Sequence, residues 1–207
     1  MKNFDFSTKE KKLFSKLNSP KKIQDFLDRI DYNIGDGEDI LSPRRVIRER
    51  KACCIEGALF AAAALRFNGH KPLIIDLVSS DIDDDHEIAV YKKNGYWGAV
   101  AKSRYPSLTY REPIHKTIRE LVLSYFEDFF LKGEKTMRGY SMPVNLARFD
   151  KKNWMTTEKS LLFIEDYLFK IKHKKLLTGP MVRNLRKVVP LLGKIDRWIV
   201  KNSSTKR

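Results

Sequence analysis

The sequence has no long hydrophobic run, and this absence excludes a membrane-spanning helix. The longest uncharged apolar stretch, Gly57 to Leu65, is far shorter than the roughly 20 residues that are needed to cross a bilayer. The first residues mix acidic and basic side chains and lack the apolar segment of a secretory signal. We therefore expect a cytoplasmic protein without a membrane span.

Cysteine is scarce, since the chain contains only two, and they are the neighbours Cys53 and Cys54. Adjacent Cα atoms lie about 3.8 Å apart, which is closer than the roughly 4.4 Å that an unstrained disulfide requires. We therefore expect free thiols, which fit a reducing cytoplasm. The chain also lacks internal repeats and low-complexity segments.

Acidic residues are fewer than basic ones, with 26 Asp+Glu against 41 Lys+Arg and a formal net charge of +15. Between Lys170 and Arg207, twelve Lys and Arg residues stand against one acid, Asp196. Apolar residues recur in the same stretch, which predicts a docked basic helical extension at about 156–202 with a solvated basic face. An anionic partner, such as nucleic acid, a membrane surface or an acidic protein, could bind this face.

Local start signals predict the helices in the first third of the chain. Ser19-Pro20 and Ser42-Pro43 each place a capping Ser before a Pro at the first helical position. The segment from Cys53 to Phe67 is apolar on nearly every side of a helical wheel, which predicts a helix that is buried all round.

Strands are predicted next, at Pro72 to Val78, His86 to Lys93 and Tyr96 to Ala101. Asn94-Gly95 between the last two indicates a hairpin with a type I′ turn, in which the numbers of paired residues sum to 189. Helical spacing then predicts two more helices. The first contains Ile114, Ile118, Leu121, Val122, Tyr125 and Phe129 and ends near Gly133; the second is capped at Thr156/Thr157 and buries Leu161, Ile164, Leu168 and Ile171.

This order of helices, sheet and helices predicts an α+β fold. A buried helix would pack on an antiparallel sheet, flanked by N- and C-terminal helices. We expect one domain over residues 1–207, with its core at about 42–130.

A cysteine in the first turn of a buried helix experiences the positive end of the helix dipole and free backbone N–H groups. Both favour a thiolate and can later hold an oxyanion. Cys53 and Cys54 both lie there, and the alternative for either is simple packing in the core.

Neighbouring residues resemble the transglutaminase-like superfamily over about Arg50 to Ser103. Cys54-Ile-Glu56 opens an Ala/Leu-rich helix with Gly69 fifteen positions later, and this spacing favours Cys54 over Cys53. His86 then opens a strand, His-Glu-Ile-Ala-Val-Tyr, and a turn leads to Trp97. The resemblance implies a papain-like fold, a Cys-His-Asp triad and acyl transfer or amide hydrolysis through a thioester. Cys54 would be the nucleophile and His86 its base, without a cofactor.

Two positions depart from the family pattern. Ala52 replaces the Gly that usually precedes the nucleophile, and Ala101 occupies the position of the expected Asp. The hairpin register places Ser103 opposite His86, so Ser103 is the candidate for orienting the imidazole. A hydroxyl cannot stabilise imidazolium as a carboxylate does, so the site could be slow, use another acid or be inactive.

Glu56 and Trp97 are the candidate substrate-binding residues. Glu56 could instead form ion pairs, and Trp97 could be a core anchor. The acidic stretch from Asp81 to His86 fails the EF-hand pattern, because His86 stands where Gly is required, and we expect no metal. Glu56 has four arginines nearby in sequence, namely Arg44, Arg45, Arg48 and Arg50.

Three functions remain open. The leading hypothesis is a cysteine-dependent enzyme that acts on an amide of a peptide or protein. An arylamine N-acetyltransferase also begins a helix with Cys-x-Glu, but the stretch from Val100 to Tyr105 does not match that family's strand end. The third hypothesis is a catalytically silent transglutaminase-like module that binds a peptide, a protein or a nucleic acid.

Overall fold

The structure is a computed structural model that describes residues 5–35 and 37–195. Its first part is helical, with two very short strands, β1 and β2, that pair in parallel. The elements are α1 (Thr8–Lys16), α2 (Pro20–Asp28), β1 (Asp31–Tyr32), α3 (Pro43–Glu49), β2 (Lys51–Ala52) and α4 (Cys54–Phe67).

The predicted helix starts are confirmed. The Ser19 hydroxyl accepts a hydrogen bond from the Lys22 amide at the start of α2, and Ser42 caps α3 in the same way through Arg45. Each hydroxyl thereby satisfies a backbone N–H that the helix itself leaves free. Helix α4 is buried along almost its whole length, as its apolar composition predicts.

A sheet of seven strands packs against α4, and every pairing within it is antiparallel. Six strands follow the order β11-β9-β3-β4-β5-β6, and β10 also pairs with β3. The bounds are β3 (Leu73–Val78), β4 (His86–Lys93), β5 (Tyr96–Val100), β6 (Arg111–His115), β9 (Gly139–Ser141), β10 (Val144–Asn145) and β11 (His173–Lys175). The protein therefore has an α+β fold.

The β4–β5 hairpin has the predicted turn and register. Asn94 and Gly95 have φ angles of 50° and 86°, as a type I′ turn requires, and Lys93 pairs with Tyr96. The pairing continues to Ala89 and Val100, so the sum of 189 holds along the ladder. Strand β5 ends at Val100, one residue earlier than predicted.

The two later helices differ from their predictions. Ile114 lies in β6 and is exposed, and α5 extends only from Ile118 to Leu123 before turns lead to β7 (Phe130–Leu131) and β8 (Glu134–Lys135). Apolar residues at helical spacing are buried there by successive turns rather than by one helix. Helix α6 (Leu162–Lys170) begins after the predicted cap, because the Thr157 hydroxyl binds the Lys159 amide in a local turn.

Beyond β11, the described part of the basic extension is helical in two places rather than throughout. The chain forms α7 (Gly179–Arg183), and it is helical again over residues 190–195. Four apolar side chains that should have been covered are exposed: Val189, Leu191, Leu192 and Ile195. The rest of the predicted extension, 196–202, lies outside the described residues. Among the residues described, no helix is both long and apolar enough to span a membrane.

The two faces of the sheet are covered by different elements. Ala89 and Tyr91 of β4 pack in the hydrophobic cluster that contains α4, whereas Ile88 and Val90 pack in the cluster that contains α5 and Phe129. Because side chains alternate along a strand, His86 and Glu87 point to opposite faces.

Candidate functional site

The start of α4 is held in place by a buried carboxylate. Glu56 accepts hydrogen bonds from the backbone amide of Cys53 (2.7 Å), from that of Leu41 (2.9 Å) and from the side-chain amide of Asn33 (2.9 Å). The Glu56 side chain is fully buried. These bonds fix Cys54, which is the first residue of the helix.

Glu56 therefore has no surface from which to bind a substrate, in contrast to the role that the sequence suggests. Nor does Glu56 form an ion pair with any arginine among residues 5–35 and 37–195. Arg44 bonds to Glu10, and Arg45 bonds to Asp39 and Glu49. The carboxylate of Glu56 is instead occupied by the chain segments that converge on the helix start.

Gly57, which the sequence pattern did not single out, allows the first turn of α4 to lie very close to Lys102. A Cβ atom at Gly57 would lie 2.3 Å from the Cβ of Lys102. The first turn of α4 thus packs directly on the chain that follows β5. Lys102 is itself buried, and its ammonium donates to the carbonyls of Leu27 and Ile30 at the end of α2.

Cys54 is half-buried and lines two cavities. The first, of about 200 Å³, is here called the histidine cavity; its lining also includes Tyr32, His86, Ser103, Leu108 and Phe129. The second, of about 700 Å³, is called the acidic cavity; it also contains Cys53, Glu87, Glu165 and residues of the 78–85 segment. Asp83, Asp84 and Asp85 line both cavities.

His86 is fixed by a backbone carbonyl. Its Nε2 lies 2.8 Å from the carbonyl oxygen of Leu108, and the ring meets Phe129 edge-on with centroids 6.3 Å apart. A carbonyl oxygen can only accept, so Nε2 carries the hydrogen and Nδ1 keeps its lone pair. Burial lowers the pKa of His86 to about 4, which the Leu108 bond opposes in part. The imidazole is therefore neutral at pH 7.

Ser103 lines the histidine cavity but does not orient the imidazole. Its hydroxyl accepts a hydrogen bond of 3.0 Å from the backbone amide of Tyr105 in a local turn. Because β5 ends at Val100, the ladder that would have placed Ser103 opposite His86 stops before it reaches that position. The Leu108 carbonyl occupies the place of the expected third member, and residue types alone could not have revealed a backbone group.

Cys54 and His86 share the histidine cavity, yet no hydrogen bond joins them within the residues described. Hydrogen bonding to the Cys53 side chain and burial together raise the pKa of the Cys54 thiol well above its ordinary value. Two smaller effects lower this pKa, namely a hydrogen bond with the Glu87 side chain and one from the Ile55 amide. At rest the site therefore holds a neutral thiol and a neutral imidazole rather than an ion pair.

Glu87 is the acidic side chain that reaches Cys54. It is 6% exposed, and its Oε2 atom has no hydrogen-bond partner in the part of the chain that the structure describes. Burial and the nearby Cys54 sulfur raise the pKa of Glu87 well above its ordinary value. Glu87 pairs across the sheet with Asp76, whose carboxylate binds Nε2 of His173 at 2.8 Å. The sequence analysis missed Glu87, although strand alternation after His86 contains the signal.

Trp97 lies away from Cys54. It is on β5, is partly buried against the α5 cluster, and has the ammonium of Lys92 5.3 Å from its ring centroid. It lines neither of the two cavities. Within residues 5–35 and 37–195, no group of three His, Cys, Asp or Glu side chains could hold a metal ion.

No protein-family model and no curated protein matches the sequence. Among solved structures, the chain is similar to a protein described as a candidate cysteine protease from Cytophaga hutchinsonii. The identity is 19% and the TM-score is 0.40. The match covers 51% of this chain and 40% of the other, so less than half of that protein's length is represented.

Proposed function

We propose that the protein is a cysteine-dependent, transglutaminase-like enzyme that acts on an amide, with Cys54 as nucleophile and His86 as proton acceptor. One observation carries the proposal: Cys54 and His86 line the same cavity, and the Leu108 carbonyl leaves Nδ1 of His86 as the basic atom. A peptide or protein amide is the substrate class, and the chemistry needs no cofactor.

The resting protonation states define the first step. The Cys54 thiol is neutral, so its proton passes to Nδ1 of His86 as the sulfur attacks the carbonyl carbon. The carbonyl oxygen becomes an oxyanion that backbone N–H groups at the start of α4 can stabilise. When the C–N bond breaks, the imidazolium returns its proton to the leaving amine, and a thioester remains. Water or an acceptor amine then attacks the thioester and releases Cys54.

The third member of the site limits this chemistry. The Leu108 carbonyl orients the ring of His86 but carries only a partial charge. An imidazolium next to a carbonyl is less stabilised than one next to a carboxylate. Turnover is therefore expected to be slow compared with that of a Cys-His-Asp enzyme.

An activated ester tests the nucleophile without a known substrate. p-Nitrophenyl acetate should release a burst of p-nitrophenol and leave an acetyl group on Cys54, detected by peptide mass spectrometry. Cys54→Ser should abolish the burst, and His86→Gln should slow it by about 10² or more. Cys53→Ser is the matched control and should retain acylation. Equal acylation of the wild type and the Cys54→Ser variant would contradict the proposal.

A catalytically silent binding module is the second candidate. The raised pKa of Cys54, and the carbonyl that stands where a carboxylate is expected, both favour it. In that case neither ester nor iodoacetamide would modify Cys54 faster than a free thiol, and His86→Ala would change nothing. A salt-dependent shift of a labelled oligonucleotide would then identify an anionic partner of the basic extension.

A further inference from the structure

The acidic cavity has a charge opposite to that of the protein as a whole. The chain carries a formal net charge of +15, yet no Lys or Arg is among the described residues that line this cavity. Six of its lining side chains are acidic: Asp81, Asp83, Asp84, Asp85, Glu87 and Glu165. Such a reversal of sign in a concave site focuses an attractive potential for cations.

One of these acids has unused hydrogen-bonding capacity. Glu87 is 6% exposed, and none of the described residues forms a hydrogen bond with its Oε2 atom. A buried polar atom without a partner costs free energy, and a ligand that supplies a donor removes that cost. Because Glu87 also lies beside Cys54, a donor bound to it would be held next to the proposed nucleophile.

The rim of the acidic cavity adds an aromatic surface. Phe169 is 64% exposed and lies one helical turn after Glu165 on α6, so both side chains share one face of the helix. An exposed ring beside a carboxylate suits a side chain that has an apolar stem and a cationic end. Arginine and lysine are the side chains with this character.

We propose that the acidic cavity binds a positively charged side chain, arginine or lysine, of a peptide substrate and thereby positions the neighbouring amide at Cys54. The link to catalysis rests on the function proposed above, whereas the binding of the cation does not. Glu165 and the aspartates of the cavity supply the negative charge, the carboxyl group of Glu87 supplies a hydrogen-bond acceptor, and Phe169 covers the stem.

A pair of nearly isosteric ligands separates charge from shape. Calorimetry or ligand-observed NMR on the wild-type protein would compare N-acetyl-arginine amide with N-acetyl-citrulline amide, in which a neutral ureido group of similar shape replaces the charged guanidinium. We expect the arginine ligand to bind at least about tenfold more tightly, because citrulline cannot form the charge-assisted bonds. Equal affinities for the two ligands would overturn the proposal.

A pair of variants on one helix locates the site. Glu165→Gln removes a cavity carboxylate, whereas Asp166→Asn makes the same change of net charge at the next residue, which does not line the cavity. We expect Glu165→Gln to weaken binding of the arginine ligand about threefold to tenfold, and Asp166→Asn to change it less than about twofold. Equal effects of the two variants would overturn the proposed location.

Failure of this inference differs from failure of the proposed function. Selective binding of the arginine ligand without acylation of Cys54 would leave the cation site standing and remove the enzyme. Acylation of Cys54 with no preference for arginine over citrulline would leave the enzyme standing and remove the cation site.

Discussion

His86 and Glu87 are neighbours in the chain, but they lie on opposite faces of the sheet and are buried in different surroundings. His86 is held by a backbone carbonyl in the cluster of α5 and Phe129. Glu87 faces α4, the Cys54 sulfur and a second acid, Asp76. Both sides meet at Cys54, which lines both cavities. The dipeptide His86-Glu87 therefore contributes one side chain to each face of the sheet.

The same burial has opposite electrostatic results on the two faces. It lowers the pKa of the imidazole and raises that of the carboxyl group, because the neutral form is favoured in each case. Adjacent residues should thus give the folded protein opposite dependences on pH. The predictions below use this contrast.

The largest effect is expected where both faces depend on one residue. Glu56→Ala removes the acceptor of the buried amides of Cys53 and Leu41, so we expect a loss of about 4 kcal/mol in the free energy of unfolding. Glu56→Gln retains one acceptor oxygen and should lose less. Urea unfolding at pH 7 with an unchanged m-value measures both. A loss below about 1 kcal/mol for Glu56→Ala would show that the helix start is held by other contacts.

On the α5 face, the stability should depend on acid through His86. The pKa of this imidazole is about 4 in the folded protein and about 6.5 in the unfolded chain, so its contribution is complete above pH 6.5 and is lost as pH falls towards 4. The wild type should therefore lose about 3 kcal/mol more than His86→Gln over this window. Urea unfolding at several pH values measures the difference.

His115→Gln is the control for this comparison, since His115 is a half-buried histidine of the same sheet. It should leave unchanged the part of the acid dependence that His86 causes. If His86→Gln kept that dependence too, folding would not lower the pKa of His86, and the burial of the imidazole in its neutral form would be contradicted.

On the α4 face, the sign should be reversed. The pKa of Glu87 is raised in the folded protein, so its contribution to stability is complete below the unfolded value of about 4.3 and is lost as pH rises above it. Glu87→Gln should therefore be more stable than the wild type at pH 8 and similar to it at pH 4.

Thermal or urea unfolding at the two pH values measures the reversal. Glu112→Gln, on the exposed side of β6, is the control and should change little at either pH. A Glu87→Gln variant that is less stable at pH 8 would mean that the carboxylate is ionised and bonded, and that the two faces do not differ in sign.

The features of the fold that depend on a few neighbouring residues could be predicted from the sequence. Caps at Ser19 and Ser42, the uniform apolar character of α4 and the Asn94-Gly95 turn act over a few residues, and each has its predicted outcome. Strands β9, β10 and β11 pair over long separations, and their short segments carry no comparable pattern. The helix predicted around α5 was too long, because successive turns can also bury apolar residues that recur at helical spacing.

The candidate site divides in the same way. Cys54 at a helix start and His86 at a strand start follow from local signals. The carbonyl of Leu108 does not, because every residue has one and only the tertiary fold brings it to His86. The position of Glu56, two residues after Cys54, suggests contact with a substrate, yet the fold surrounds its carboxylate with backbone amides.

The smallest effect is expected for Ser103→Ala, which tests what the strand register alone suggested. The hydroxyl of Ser103 accepts a hydrogen bond from the Tyr105 amide, whereas the imidazole of His86 is bonded to the Leu108 carbonyl. We expect a loss below about 1 kcal/mol in the free energy of unfolding and no change in the pH dependence that His86 causes. Acylation of Cys54 should also be unchanged, because a backbone carbonyl cannot be removed by a side-chain substitution. A large loss of acylation in Ser103→Ala would show that the Ser103 hydroxyl, and not the Leu108 carbonyl, orients the imidazole of His86.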